Sequence, residues 1–332
     1  MRKFVKILGA AWAAVALIAG AGVSYLYLHK PAMARASDIR IARTPERLAR
    51  GAYLFNLADC DGCHSQRDFS RFGGPVAEGG RGAGTVFPDA MGLPGLVAPS
   101  NITPDPETGI GAWTDGEKIR AIREGVDRDG RALFPMMPYE NFRHMSDEDV
   151  YSLVAYLDSL PPVKHKVPKT RLKFPVSMLI KGAPQPAGSV PPPDRSDRRQ
   201  YGKYLVTLAG CMECHTRQLS GGEVFRVAPN ILVVSANISP DRATGIGKWN
   251  EQDFVDRFHQ YRDYVKNGPP AVGPESFTLM PWLNFCRLPA EDLKAIYAFL
   301  HTQPAVYKSV DTHPAWSLQT AGLTSAVKTA AP

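Results

Sequence analysis

The chain opens on an uncharged run from Ile7 to Leu28, preceded by Arg2, Lys3 and Lys6. The run is 22 residues, longer than the core of an export signal and long enough to cross a bilayer as a helix. The positive end is expected to stay inside, which places everything after Lys30 outside the cytoplasm. Ala32-Met33-Ala34 and Ala34-Arg35-Ala36 have the small-residue pattern of a cleavage site, so a removed signal peptide is the alternative to a retained anchor. Further on, Val150, Leu153, Val154 and Leu157 recur at i, i+3, i+4 and i+7, one face of an amphipathic helix. Ser146 suits its N-cap, and Asp147 to Asp149 suit its first turn. Leu293, Ile296, Tyr297 and Leu300 repeat the stripe. Thr44-Pro45 predicts the start of another helix, as cap and first-turn proline, and Ser196 predicts its counterpart. Gly51 and Gly202 fall inside these two helices, where glycine costs stability and points to close helix packing. No segment shows sustained strand alternation, so the expected fold is all-α.

The pattern is duplicated. Gly51-Ala-Tyr-Leu-Phe-Asn-Leu-Ala-Asp-Cys-Asp-Gly-Cys-His64 aligns without a gap on Gly202-Lys-Tyr-Leu-Val-Thr-Leu-Ala-Gly-Cys-Met-Glu-Cys-His215, with eight of fourteen positions identical. Asn101-Ile-Thr-Pro-Asp105 and Thr108-Gly-Ile-Gly-Ala-Trp113 match Asn237-Ile-Ser-Pro-Asp241 and Thr244-Gly-Ile-Gly-Lys-Trp249. Met137-Pro-Tyr-Glu-Asn-Phe142 matches Met280-Pro-Trp-Leu-Asn-Phe285. Three matched blocks in one order mark a repeated domain. The offset between copies falls from 151 to 136 between the first two blocks. A longer loop therefore lies in the first copy between Arg67 and Ala98, Gly-rich and expected at the surface.

At 332 residues and 44% hydrophobic, the chain suits two compact domains with extras. Its 29 Gly and 29 Pro announce much loop. The net charge of +7 is concentrated: Pro161 to Gln200 alone holds nine Lys/Arg against two Asp. A solvated basic linker is the plain interpretation, and a docking strip for an acidic partner or an anionic lipid surface the sharper one. No aromatic-interleaved basic signature accompanies the charge, so nucleic acid is not an expected partner.

Cys60-Asp-Gly-Cys63-His64 and Cys211-Met-Glu-Cys214-His215 are Cys-x-x-Cys-His sequences, the c-type haem attachment pattern. Two thiols add across the haem vinyl groups, and the next residue places an imidazole beneath the iron. A zinc half-site would not need His after both pairs, and a thioredoxin-like pair sits at a strand-to-helix junction. Two covalently bound haem c groups are therefore expected, on Cys60, Cys63, Cys211 and Cys214, with His64 and His215 as axial ligands. Methionine is the first candidate for each distal ligand. The repeat chooses Met137, which aligns with Met280, over Met136, which aligns with Leu279; His144, a rival, aligns with Arg287. Asn101, Trp113, Asn237 and Trp249 are repeated residues that either support haem propionates or a loop over the haem, or serve turn and core packing. Cys286 has Arg143 at its repeat position and is expected to be core filler.

These motifs together resemble the cytochrome c subunits of periplasmic alcohol, aldehyde and gluconate dehydrogenases, from about Pro45 to Pro304. The resemblance implies a membrane-bound electron carrier. Its donor would be a periplasmic quinoprotein, flavoprotein or molybdenum dehydrogenase, and its acceptor quinone, an oxidase or another cytochrome. Members closest in motif carry three haem domains, whereas this sequence holds two Cys-x-x-Cys-His motifs.

The expected plan is an N-terminal anchor or signal over 1–30, cytochrome c domain 1 over 40–160 and a basic, Pro-rich linker over 161–195. Domain 2 follows over 196–305, with a disordered tail over 306–332. The linker holds nine prolines and is expected to be extended, with Phe174 to Ile180 an apolar island able to pack on a haem domain. The chain would cross the inner membrane once, with its haem domains in the periplasm. Two six-coordinate haems leave no open site, so the chain is expected to be an electron carrier and not itself an enzyme. The rival is a dihaem peroxidase, which needs a vacant distal position, or a thiosulfate-oxidising cytochrome, for which Cys286 is the spare thiol. A haem-based gas sensor normally carries an output domain, and none is visible.

Overall fold

The computed structural model describes residues 2–228, 231–273 and 275–314. The first helix, α1 (Arg2–Leu28), stands apart, and every residue from Ala11 to Leu28 is solvent-exposed. By length and composition it is able to cross a membrane.

The first copy is built from α2 (Pro45–Leu57), α3 (Cys60–His64), α4 (Asp115–Glu124), α5 (Tyr139–Phe142) and α6 (Asp147–Leu157). The short α7 (Val176–Leu179) follows in the connection. The second copy comprises α8 (Arg198–Leu208), α9 (Cys211–His215), α10 (Glu251–His259), α11 (Arg262–Asn267), α12 (Trp282–Phe285) and α13 (Ala290–Leu300). Each copy is organised on one helix pair, α2 on α6 and α8 on α13. The predicted stripes face this core: Val150, Leu153, Val154 and Leu157 are buried against Leu54, Phe55 and Leu57, and Leu293, Ile296 and Leu300 against Leu205 and Leu208.

The two helical glycines sit at the crossings. A methyl group on Gly51 would lie 2.0 Å from the Ser152 carbonyl oxygen, and one on Gly202 would lie 1.9 Å from that of Ala295. The helices touch backbone to backbone, which only glycine permits. Thr44 and Ser146 cap α2 and α6 through their side-chain oxygens. Asp197, not Ser196, caps α8, accepting from the Arg199 and Gln200 N–H groups; Ser196 bonds Asp194 instead.

The described fold is mainly helical, but the all-α expectation needs amending. β1 (Gly95–Leu96) pairs antiparallel with β2 (Arg171–Leu172), and β3 (Val224–Ala228) pairs antiparallel with β4 (Ile231–Val234). These ribbons are too short for alternation to register in the sequence.

Three expected boundaries also move. The Gly-rich loop after Arg67 is a clasp, not a free surface loop. Phe72 stacks on Tyr261 at 5.0 Å, its N–H donates to Pro270, and Arg71 donates to the Pro269 carbonyl at 2.9 Å. The segment after α6 is stitched to domain 1, and residues 306–314 are stitched to the second copy, so the tail does not begin at 306; residues 315–332 lie outside the described residues. One device serves both. The Asn101 amide donates to the carbonyls of Val163 (2.7 Å) and His165 (3.3 Å), and Asn237 donates to those of Val306 (2.8 Å) and Lys308 (3.4 Å). The side-chain oxygens of Thr103 and Ser239 accept from Val163 and Val306, and those of Thr108 and Thr244 accept from His165 and Lys308. Replacing Asn101 or Asn237 with Ala is expected to cost about 1–3 kcal/mol, because two carbonyls and a turn lose their partner. Amide exchange should then rise over 163–167 or 306–309 respectively. Unchanged exchange there would show that the amides do not hold these segments.

Candidate functional site

Each Cys-x-x-Cys-His sequence is a single helical turn entered through a left-handed residue, Asp59 (φ 46°) before α3 and Gly210 (φ 63°) before α9. The preceding element is a helix in both copies, unlike the strand that precedes a thioredoxin-like pair. No disulfide joins any of the five cysteines. Among the described residues no group of three His, Cys, Asp or Glu side chains is placed to hold a metal ion by itself.

The histidines are pre-oriented. His64 Nδ1 lies 2.7 Å from the Ser100 carbonyl oxygen, and His215 Nδ1 lies 2.7 Å from that of Ala236. A carbonyl can only accept, so Nδ1 carries the proton and Nε2 keeps its lone pair. Burial holds both imidazoles below the usual histidine range, against the pull of those carbonyls. A neutral ring with a fixed Nδ1–H and an uncommitted Nε2 is the form in which histidine ligates iron.

The methionine loops are copies in backbone as well as sequence. Tyr139 N–H donates to the Met137 carbonyl at 2.8 Å, and Trp282 N–H to that of Met280 at 2.7 Å. The intervening prolines have near-identical torsions, φ −81° and ψ 52° at Pro138 and φ −77° and ψ 55° at Pro281, an inverse γ-turn. Met137 and Met280 both pack against the core, whereas Met136 is 38% exposed and His144 lies in solvent. Cys286 is fully buried, its thiol donating towards the Leu283 carbonyl at 3.5 Å. It is placed as core, not as a ligand.

Asn101 and Asn237 spend their amide hydrogens on the stitched segments and the Thr108 and Thr244 hydroxyls; their oxygens accept from Thr103 and Ser239. Turn chemistry thus accounts for them. Trp113 and Trp249 lie half-buried against the core, and their backbone N–H groups close turns onto Ile110 and Ile246.

Side chains of each copy reach the motif region of the other. Asn141 and Asn284 are repeat-equivalent residues four places after each methionine, and each reaches into the other copy's motif. Asn141 donates to Glu213 at 3.1 Å, and Asn284 donates to Asp59 at 2.6 Å. Burial pushes the Asp59 carboxyl up to about 6, against the opposing Arg67 charge and the Asn284 amide. Asp149 accepts both Arg50 nitrogens (2.7 and 2.8 Å) and the Tyr204 hydroxyl (2.5 Å). Tyr53, the repeat partner of Tyr204, feels the negative charge of Asp292, the repeat partner of Asp149, but forms no matching hydrogen bond to it. The donors Asn141 and Asn284 are equivalent, but their acceptors are not: Asp59 aligns with Gly210, and Glu213 with Gly62. None of these crossing contacts is visible in the sequence, although the repeated Asn141 and Asn284 were there to be read.

A family model described as cytochrome c matches residues 48–161. The chain carries a cytochrome c domain. It is similar to the fructose dehydrogenase cytochrome subunit of Gluconobacter japonicus, 33% identical over 293 residues covering 80% of this chain and 54% of that one. The gluconate 2-dehydrogenase cytochrome c subunit of Pantoea cypripedii is 30% identical over 67% of this chain and 52% of its own. A diheme cytochrome c-type protein of Cereibacter sphaeroides is 29% identical over 89% of this chain and 98% of its own length. The chain thus spans about half the length of the dehydrogenase subunits it matches. Those relatives are the cytochrome subunits of their complexes and not the catalytic ones.

Proposed function

We infer that this chain is a dihaem c-type cytochrome. It passes electrons from a periplasmic dehydrogenase towards the respiratory chain, on the quinone or terminal-oxidase side. The observation that carries this is the matched geometry of the two Cys-x-x-Cys-His turns: two neutral histidines with fixed Nδ1–H groups, each turn contacted by an asparagine from the other copy. The residues present fit haem c. Cys60 and Cys63, and Cys211 and Cys214, would hold the porphyrins through thioethers; His64 with Met137 and His215 with Met280 would complete the iron coordination. Haem held this way supplies reversible one-electron chemistry.

The chain's own residues set the conditions for that chemistry. The core-packed Met137 and Met280 would supply the distal ligands, and the Ser100 and Ala236 carbonyls hold the Nδ1–H sides of the two imidazoles. The helix α1 would serve as a single-pass inner-membrane anchor with the rest of the chain in the periplasm. The match to a diheme protein over 89% of this chain supports a two-haem reading. The dehydrogenase named in several relatives supports that class of donor.

Detergent-solubilised membranes from the source cell, captured on the tagged full chain, should yield a dehydrogenase whose own substrate reduces the cytochrome. A preparation that no co-purified dehydrogenase reduces, but that turns over hydrogen peroxide, would place the chain among dihaem peroxidases instead.

A further inference from the structure

The connection between the copies carries an apolar island, Phe174 to Ile180. It carries the island to the end of α1. α7 packs against α1, and the Lys181 ammonium donates to the carbonyls of Leu26 (3.1 Å) and Tyr27 (3.0 Å), capping the last turn of that helix. A cation at a helix C-terminus satisfies free carbonyls and the helix dipole together. On its other side the segment is fastened to domain 1: Leu172 and Arg171 pair with Gly95 and Leu96, and Lys173 N–H donates to the Pro94 carbonyl at 2.8 Å. The island is therefore held at one height relative to α1.

Its exposed side chains are of two kinds. Phe174 is 72% and Leu179 64% exposed, with Tyr307 the most exposed large apolar side chains outside α1 among the described residues. Lys169, Arg171 and Lys173 are exposed beside them. Apolar side chains bare to solvent within a cationic stretch are the composition of a segment that lies in a lipid interface. Tyr25 and Tyr27, in the last turn of α1, mark the level where that helix leaves hydrocarbon, and Lys181 ties the island to the same turn.

We propose that residues 169–181 form an interfacial membrane contact, Phe174 and Leu179 entering the lipid surface while Lys169, Arg171 and Lys173 bind anionic headgroup phosphates. This rests on the reading of α1 as a membrane anchor. A single helix leaves the domains free to swivel, and a second contact beside it fixes which face of the two-domain body looks away from the bilayer.

The full chain, reconstituted into vesicles containing phosphatidylglycerol, tests this with a nitroxide on Phe174→Cys or, separately, on Leu179→Cys. Lys248→Cys, exposed on the second copy, is the aqueous control, and an unchanged Soret spectrum certifies each variant. Flotation with the vesicles reports α1. The two test labels should collide with dissolved oxygen far more than with a water-soluble nickel chelate, and the control label should show the reverse. In Lys169→Gln/Arg171→Gln/Lys173→Gln the preference should weaken towards its value in zwitterionic vesicles, since each such cation is worth about a fivefold factor at an anionic surface. A chain that floats while both labels behave like the control overturns the contact but leaves the anchor. Labels shielded from both reagents mean a protein neighbour and overturn it equally. A chain that fails to float overturns both.

Discussion

Replacing Met137 with Leu is expected to open the first iron, lower its potential and let carbon monoxide bind, with one haem per chain affected. Met280→Leu should do the same at the second. Leucine keeps the volume of the side chain, so the loop and its proline turn survive while the thioether donor is lost. Axial ligand identity is a principal control of haem potential, spanning about 0.8 V across ligand types. Met136→Leu is the internal control: its side chain is 38% exposed and faces away from the core. Carbon monoxide binding in Met136→Leu but not in Met137→Leu would mean that the repeat register, and with it the choice of ligand in both copies, is off by one.

The second large effect is on folding. Gly51→Ala and Gly202→Ala each drive a methyl group into a backbone carbonyl at about half the usual contact distance. Relief requires moving one helix off the other, which strips the contacts that organise that copy. Overpacking of a tight core costs about 1–3 kcal/mol and at times more; a clash against backbone, which cannot rotate away, sits at the upper end. Against a typical stability of about 5–15 kcal/mol, a loss of about 3 kcal/mol lowers Tm by on the order of 10 °C or more for a domain of this size. Calorimetry on the haem-loaded variants should show it at both positions. A shift of only a degree or two at Gly51 would mean that α2 and α6 do not cross backbone to backbone.

Much of this was legible in the sequence because it repeats within one chain. The stripes gave α6 and α13, and Thr44-Pro45 gave the start of α2. The paired glycines announced two close helix crossings, and the offset of 143 separated Met137 from Met136. What the sequence withheld were contacts made by single residues across long separations. Arg71 and Phe72 read as part of a Gly-rich loop, because nothing local says that Pro269 and Tyr261 will meet them. The boundaries at 160 and 305 were drawn where helical periodicity stops, yet Asn101 and Asn237 reach past them. Pro161-Pro-Val163 against Pro304-Ala-Val306, again at an offset of 143, was the signal that each copy continues. The capping of α8 slipped by one residue because Ser196 and Asp197 are both good N-caps, and only the hydrogen bonds choose. The β3–β4 ribbon was missed because strands this short leave no period to count.

The central claim is that both turns carry covalent haem. Thioethers survive denaturation and acid-acetone extraction, which release haem held only by axial ligands. The most direct measurement is the haem content of the purified full chain after unfolding, by pyridine haemochrome against protein concentration. The account predicts two haems per chain, none extractable into acid-acetone, and one per chain when Cys211 and Cys214 are both replaced by Ala. One haem in the unaltered protein, or haem that leaves with the organic solvent, would contradict it.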